Sequence, residues 1–317
     1  MKKHIYILAF LASLISFACQ ENPLIKLEDD VSGNVTKLEI EYLAANQENN
    51  LIDGFDSTYI VSTSKNQLRD LDGYIYVAKI VKENKRFGNT IKNSIDLFEA
   101  EFFDKNREIL TPEGNFLGYF SIPIGEFLID NAKAILTGKI IKLRRNNQMY
   151  EAKAGARYFL YKSPFLQIGE NFQLEYNSPI YVKVLRPNHI NEFINFIPEE
   201  INGELKINYN LKEFESLEIS WNKSLGGSNL RGKVEIVIGV FIEKTNSAFP
   251  IIRIRTDDIG TIKLPAKIFE NIRINENFDL IFLISKKNVK KISLNNNFQN
   301  IDFIAASVYS IKVKKFY

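Results

Sequence analysis

Lys233-Val-Glu-Ile-Val-Ile-Gly-Val-Phe-Ile242 decides the fold class. Val234, Ile236, Ile238, Val240 and Ile242 recur at every second position, the period at which side chains of a β-strand return to one face. Glu204–Leu211 repeats the pattern, with Leu205, Ile207, Tyr209 and Leu211 alternating against Glu204, Lys206, Asn208 and Asn210. Working outward, the same alternation marks Tyr74–Val81, Ile95–Phe103, Ala132–Leu143, Ile180–Leu185 and Phe303–Lys314, while few segments hold a helical period. The expectation is an all-β chain.

An internal similarity suggests how the strands are grouped. Gly118-Tyr-Phe-Ser-Ile-Pro123-Ile-Gly-Glu-Phe127 aligns without gaps on Gly260-Thr-Ile-Lys-Leu-Pro265-Ala-Lys-Ile-Phe269. Each copy follows a strand-like run, and each proline stands where a strand would end and a short helical turn begin. Between the copies, Pro187, Asn188, Pro198 and Gly203 punctuate the chain. The expected organisation is a leader at 1–18, a tether at 19–32, one β-sandwich at 33–187, a linker at 188–200 and a second sandwich at 201–317. The second unit resembles immunoglobulin-like and fibronectin-III-like sandwiches in size, in strand spacing and in carrying Trp221 at the end of an alternating strand. That resemblance implies architecture and no function.

The amino terminus carries the strongest functional signal. Lys2 and Lys3 precede an almost unbroken apolar run, Ile5 to Phe17, too short to cross a bilayer as a helix. It leads into Ser16-Phe17-Ala18-Cys19, which resembles the lipobox of bacterial lipoproteins, although Ser16 and Phe17 stand where that family favours leucine and a small residue. The resemblance implies that Cys19 receives diacylglycerol and further acyl chains such as palmitate. Cys19 is the only cysteine among 317 residues, so the chain can form no internal disulfide. The absence of aspartate after Cys19 implies, by the same resemblance, sorting to the outer membrane.

Charge and residue counts narrow the chemistry. Removing the leader takes Lys2 and Lys3 with it and leaves 39 basic against 38 acidic side chains, a balance that does not recruit nucleic acid. Lys286-Lys287, Lys290-Lys291 and Lys312-Lys314-Lys315 read as solvated faces and strand ends. His189 is the one histidine left after the leader, so neither a Ser-His or Cys-His nucleophile nor a zinc site has its side chains, and no metal or cofactor is expected. Asp70-Leu-Asp72-Gly73 and Asp257-Asp258-Ile-Gly260 read as tight turns.

The loop after Trp221 holds Gly226, Gly227, Ser228, Asn229 and Arg231, and flexible loops at sandwich ends often carry contacts, so these five residues form the candidate contact surface. Three function classes follow. The leading one is a non-catalytic lipoprotein of the envelope that binds a partner protein, as an accessory subunit of an outer-membrane assembly or as an adhesin. The second is a glycan-binding lipoprotein that uses tyrosines such as Tyr74, Tyr76, Tyr158 and Tyr161. The third is a hydrolase built on dispersed carboxylates.

Overall fold

The structure, a computed structural model, describes residues 25–27, 38–42, 50–52, 69–86, 89–110, 114, 116–145, 148–210, 213–224, 233–242, 247–269 and 279–313. The early strands are β1 (Ile25–Leu27), β2 (Leu38–Tyr42), β3 (Asn50–Ile52), β4 (Gly73–Arg86), β5 (Asn89–Leu110), β6 (Phe116–Ser121), β7 (Glu126–Ile129), β8 (Ala132–Lys133), β9 (Ile135–Arg145) and β10 (Gln148–Lys162). The later ones are β11 (Gln167–Ile168), β12 (Pro179–Arg186), β13 (His189–Phe196), β14 (Gly203–Asn210), β15 (Glu213–Trp221), β16 (Lys233–Ile242), β17 (Ser247–Asp257), β18 (Thr261–Pro265), β19 (Asp279–Ile292) and β20 (Ile301–Val313). The chain is all-β, as the alternation predicts, and its sheets stack as a sandwich.

One sheet dominates, with strand order β1-β2-β17-β16-β19-β20-β4-β5-β6-β10-β9-β3 and β11 on β10. Two smaller sheets, β13-β12-β7-β8 and β14-β15-β18, complete the fold. Strand β20 shows how they meet. Its Ile301, Phe303 and Ala305 enter a core shared with Phe127, Ile129, Ile180, Val182 and Val184 of the first small sheet. Further along the same face, Tyr309 and Ile311 enter a second core with Leu217, Ile219, Trp221, Ile262 and Leu264 of the other small sheet. Ser307 lies between the two cores, and its hydroxyl accepts the Ile201 N–H at 3.1 Å where the chain crosses from one small sheet to the other. The opposite face, with Ala306 and Val308, joins a third cluster around Tyr74, Tyr76, Ile80 and Leu97.

The sequence reading did not foresee how far the main sheet extends. Strand β20 pairs in parallel with β4, from Ile301 opposite Gly73 to Lys312 opposite Asn84, so the sheet runs through both halves of the chain. Parallel pairing joins strands that are remote in sequence, and no local turn signal announces it. Both strands are covered on both faces, with Tyr74–Ala78 and Ala305–Ile311 buried without a break, so the one-sided burial that alternation predicts does not hold there.

The expected linker at 188–200 is a strand for most of its length, because β13 pairs along all of β12. Buried Asn195 fastens β13 to the main sheet by donating to the carbonyls of Asn288 (3.1 Å) and Phe303 (2.9 Å). The expected tether at 19–32 likewise contains β1, which pairs with β2 as β2 pairs with β17. The two aligned segments occupy unlike places. Gly118–Ser121 lies in β6 of the main sheet, whereas Thr261–Pro265 is β18 of a small sheet. Pro265 opens a 3₁₀ turn, Ala266–Ile268, but Pro123 leads through an irregular stretch into β7.

The main sheet curls. Strand β3 lies beside β17 although the two are near opposite ends of the sheet order, and among the described residues no pairing closes the ring. The inner face carries the third cluster. There burial raises the Tyr76 hydroxyl above its ordinary value, and the Glu235 and Glu99 carboxylates add to the rise. Close approach of backbones at one point requires glycine. Gly155 sits at a bulge in β10 with φ +102°, and a Cβ there would fall 1.9 Å from the Ser121 carbonyl oxygen. Gly155→Ala is therefore expected to cost more than the roughly 1 kcal/mol of an ordinary glycine replacement, read from the urea midpoint of the purified protein.

Candidate functional site

The contact-loop residues Gly226, Gly227, Ser228, Asn229 and Arg231, and Cys19, lie outside the described residues. The base of that loop is described, and it is built around ion pairs. Asp258 accepts three hydrogen bonds: from Trp221 Nε1 at 2.7 Å, from the Ser224 backbone N–H at 2.9 Å and from the Ser224 hydroxyl at 2.5 Å. Lys286 Nζ donates to Glu199 Oε1 at 2.8 Å, to the Asn222 carbonyl at 3.0 Å and to Ser224 Oγ at 3.1 Å, and lies 3.2 Å from Asp258. Burial pushes the Asp258 carboxyl up, but the Ser224 and Trp221 donors and the Lys286 ammonium hold it below its ordinary value.

This corrects two readings. Lys286 is a buried cation rather than part of a solvated face, and Asp258 organises three elements rather than one turn. The proximity of Ser224 to Lys286 brings to mind a serine activated by lysine, which requires a free amine lone pair. All three Lys286 hydrogens are committed to acceptors, so the arrangement is a clamp on the loop's first residues. Trp221→Phe keeps the ring in its core and removes one donor from Asp258. A loss of about 1–3 kcal/mol in urea unfolding is expected, the cost of leaving a buried acceptor short of a partner.

A second polar array crosses the inner face of the main sheet. Glu99 and Glu101 are two residues apart on β5 and so share a face. Glu99 Oε1 accepts from the Tyr74 hydroxyl at 3.1 Å and from Arg157 Nη1 at 3.3 Å. Glu101 Oε2 accepts from the Ser121 hydroxyl at 2.9 Å and pairs with Lys139. Burial raises the Glu99 carboxyl above its ordinary value, against the pull of Arg157. Burial also pushes Glu101 up, but Lys139 and the hydroxyl donors bring it below. Two carboxyls driven apart in this way are what general acid–base catalysis needs. Here their side chains are 2% and 1% exposed, out of reach of a solute.

Further along the same face Glu235 is ringed by Lys287 Nζ (2.5 Å), Arg255 Nε (3.4 Å) and Arg253 Nε (3.9 Å). Burial opposes ionisation, yet Lys287 and Arg253 hold the Glu235 carboxyl down at about 2. The sequence contained a sign of this array. Ile95, Leu97, Glu99, Glu101 and Phe103 share one strand face, and acids among apolar neighbours at that parity mark an inward-pointing charge.

The remaining expectations fall as follows. His189, inside the expected linker, is exposed at the start of β13. Asp72 is spent on the backbone: its Oδ2 accepts the Gln299 and Asn300 N–H groups at 2.8 Å each, and Oδ1 pairs with Lys105 at 2.7 Å. Tyr74, Tyr76, Tyr158 and Tyr161 are all buried, so their rings do not offer a face to a sugar. Sequence reasoning missed the outward face of the β12–β13 hairpin, where Tyr181, Ile190, Ile194 and Phe196 are exposed together. No protein-family model and no curated protein matches the chain.

Proposed function

We propose that this protein is a lipid-anchored component of a bacterial outer membrane that performs no catalysis and offers its β-sandwich surfaces to a partner protein of the envelope. The observation that carries the reading is the sole thiol, Cys19, placed directly behind a basic start and a short apolar run. Two or three acyl chains at about 0.8 kcal/mol per buried methylene anchor a protein durably. The ordering of β14–β20, three strands in one sheet facing four in the other, supports a fibronectin-III-like sandwich for the second half. The grouping of exposed Tyr181, Ile194 and Phe196 on one face of β12–β13, with Ile190 beyond the Lys183–Glu192 pair, supports the partner, since exposed apolar side chains gathered on one face mark interaction sites.

Mass spectrometry of the mature amino terminus is expected to find acylated Cys19, and Cys19→Ser is expected to move the protein from the membrane to the soluble fraction. Copurification from detergent should recover a stoichiometric membrane protein, and Phe196→Asp combined with Ile190→Asp should lose it. An unmodified thiol, or a Cys19→Ser protein still held in membranes, overturns the anchor. Copurification untouched by the hairpin substitutions overturns the contact face.

A further inference from the structure

We infer that the outward face of the β12–β13 hairpin binds the same face of a second copy of this chain, about a two-fold axis that runs along the strands between β12 and β13. This rests on the reading of that hairpin as the contact face and names its occupant.

Ile180, Val182 and Val184 of β12 are buried against the main sheet, so the alternate positions of the hairpin point away from it. Pairing arranges those positions in rows, because residues opposite one another share a face. Pro179 stands beside Phe196, Tyr181 beside Ile194, Lys183 beside Glu192, and Leu185 beside Ile190. The third row is an ion pair at 3.8 Å, with apolar rows on either side of it. Tyr181, Ile190, Ile194 and Phe196 are exposed. A purely apolar partner closing over this face would strip water from both charges and return nothing. The face instead suits a surface that carries the opposite charges in the same row, with apolar side chains above and below.

The hairpin itself is such a surface. A two-fold axis along the strands keeps every row level and exchanges the columns, so Lys183 meets Glu192 of the second copy and Glu192 meets its Lys183. Tyr181 meets Ile194, Pro179 meets Phe196 and Leu185 meets Ile190, each apolar on apolar. Charges on the flanks agree. Lys290 stands outside β13, its Nζ donating to the Ile194 carbonyl at 2.9 Å, and Asp130 stands outside β12, accepting the Tyr181 N–H at 3.0 Å. Both are exposed and level with the same row, and the axis brings Lys290 of each copy toward Asp130 of the other. An axis across the strands fails. Centred on the charged row it sets Lys183 against Lys183 and Glu192 against Glu192, and centred beside that row it buries both charges on apolar side chains. The surviving axis also leaves the two hairpins close to aligned, as stacked sheets pack.

The test uses the full-length protein in detergent, expressed as copies bearing either of two affinity tags. Wild-type copies are expected to be recovered through one another's tags and to sediment at twice the mass of one chain. Lys183→Glu and Glu192→Lys each set like charges across the axis and should weaken self-association by about tenfold or more. Mixing the two variants makes every cross-copy pair opposite in sign again and should return a mixed dimer that carries both tags. The substituted side chains are 36% and 52% exposed, and circular dichroism of each variant checks that the fold is kept. A wild-type protein that sediments as one chain, a dimer indifferent to both single substitutions, or single variants that stay apart when mixed overturns the second copy as occupant. If a different membrane protein then copurifies and is lost with Ile190→Asp and Phe196→Asp, the contact face stands without this occupant. If nothing bound responds to any hairpin substitution, both readings fall.

Discussion

Glu235→Gln is expected to lower folding stability by about 3 kcal/mol at pH 7, which follows from the drop of this carboxyl from 4.5 to about 2 at 1.36 kcal/mol per unit. Glutamine keeps the shape and removes the charge that Lys287, Arg253 and Arg255 surround. Arg253 is only 1% exposed, so its cation has little water to turn to when the acid is gone. The pH dependence follows from the sign of the shift. A carboxyl whose folded value lies below its unfolded value stabilises the fold above the unfolded value, and that contribution fades as pH falls toward the folded one. Urea midpoints of the wild-type and Glu235→Gln proteins should therefore differ most above pH 4.5 and converge as pH is lowered toward 2. A constant gap across that window would show that the array stabilises by packing rather than by charge.

Phe127→Ala is expected to cost about 3–5 kcal/mol, the range for emptying a buried aromatic site. Phe127 belongs to the four-residue strand β7 and is completely buried. Its ring centroid lies 4.4 Å from that of Tyr158, 5.3 Å from Phe102 and 6.2 Å from Phe98, all on the main sheet. The side chain is thus a principal link between the first small sheet and the large one. Phe165→Ala, at a residue 83% exposed, supplies the control and should change stability by no more than about 0.5 kcal/mol. Paired denaturation curves of the two variants separate core burial from a general effect of losing a phenylalanine.

Much of the strand content was legible because alternation is local. In Thr261–Pro265 the buried residues are Ile262 and Leu264 and the intervening ones are exposed, as period two requires. Strand β13 escaped notice because the flanking Pro187 and Pro198 and the nearby asparagines read as loop punctuation, and its pairing with β12 depends on a two-residue turn at Pro187-Asn188, where Asn188 takes φ +61°. The aligned segments misled for a similar reason. Ten residues specify a strand followed by a proline, but not which sheet receives the strand. The Lys286 clamp was out of reach for another reason. Its partners, Glu199, Asn222, Ser224 and Asp258, come from separate segments, and nothing within ten residues of Lys286 announces them.

The chain by itself determined that the backbone would be extended, which residues would share a face along strands such as β16, and that one thiol would stand behind a short apolar run. These follow from side-chain period and residue identity, which each segment carries alone. Only the tertiary structure decided that β4 and β20 would pair in parallel, that the resulting sheet would serve both halves of the chain, and that its inner face would gather Glu99, Arg157 and Glu235 with their counter-ions. Pairing between strands more than two hundred residues apart rests on burying both of their faces at once, a condition that exists only when the small sheets and the curl are already in place.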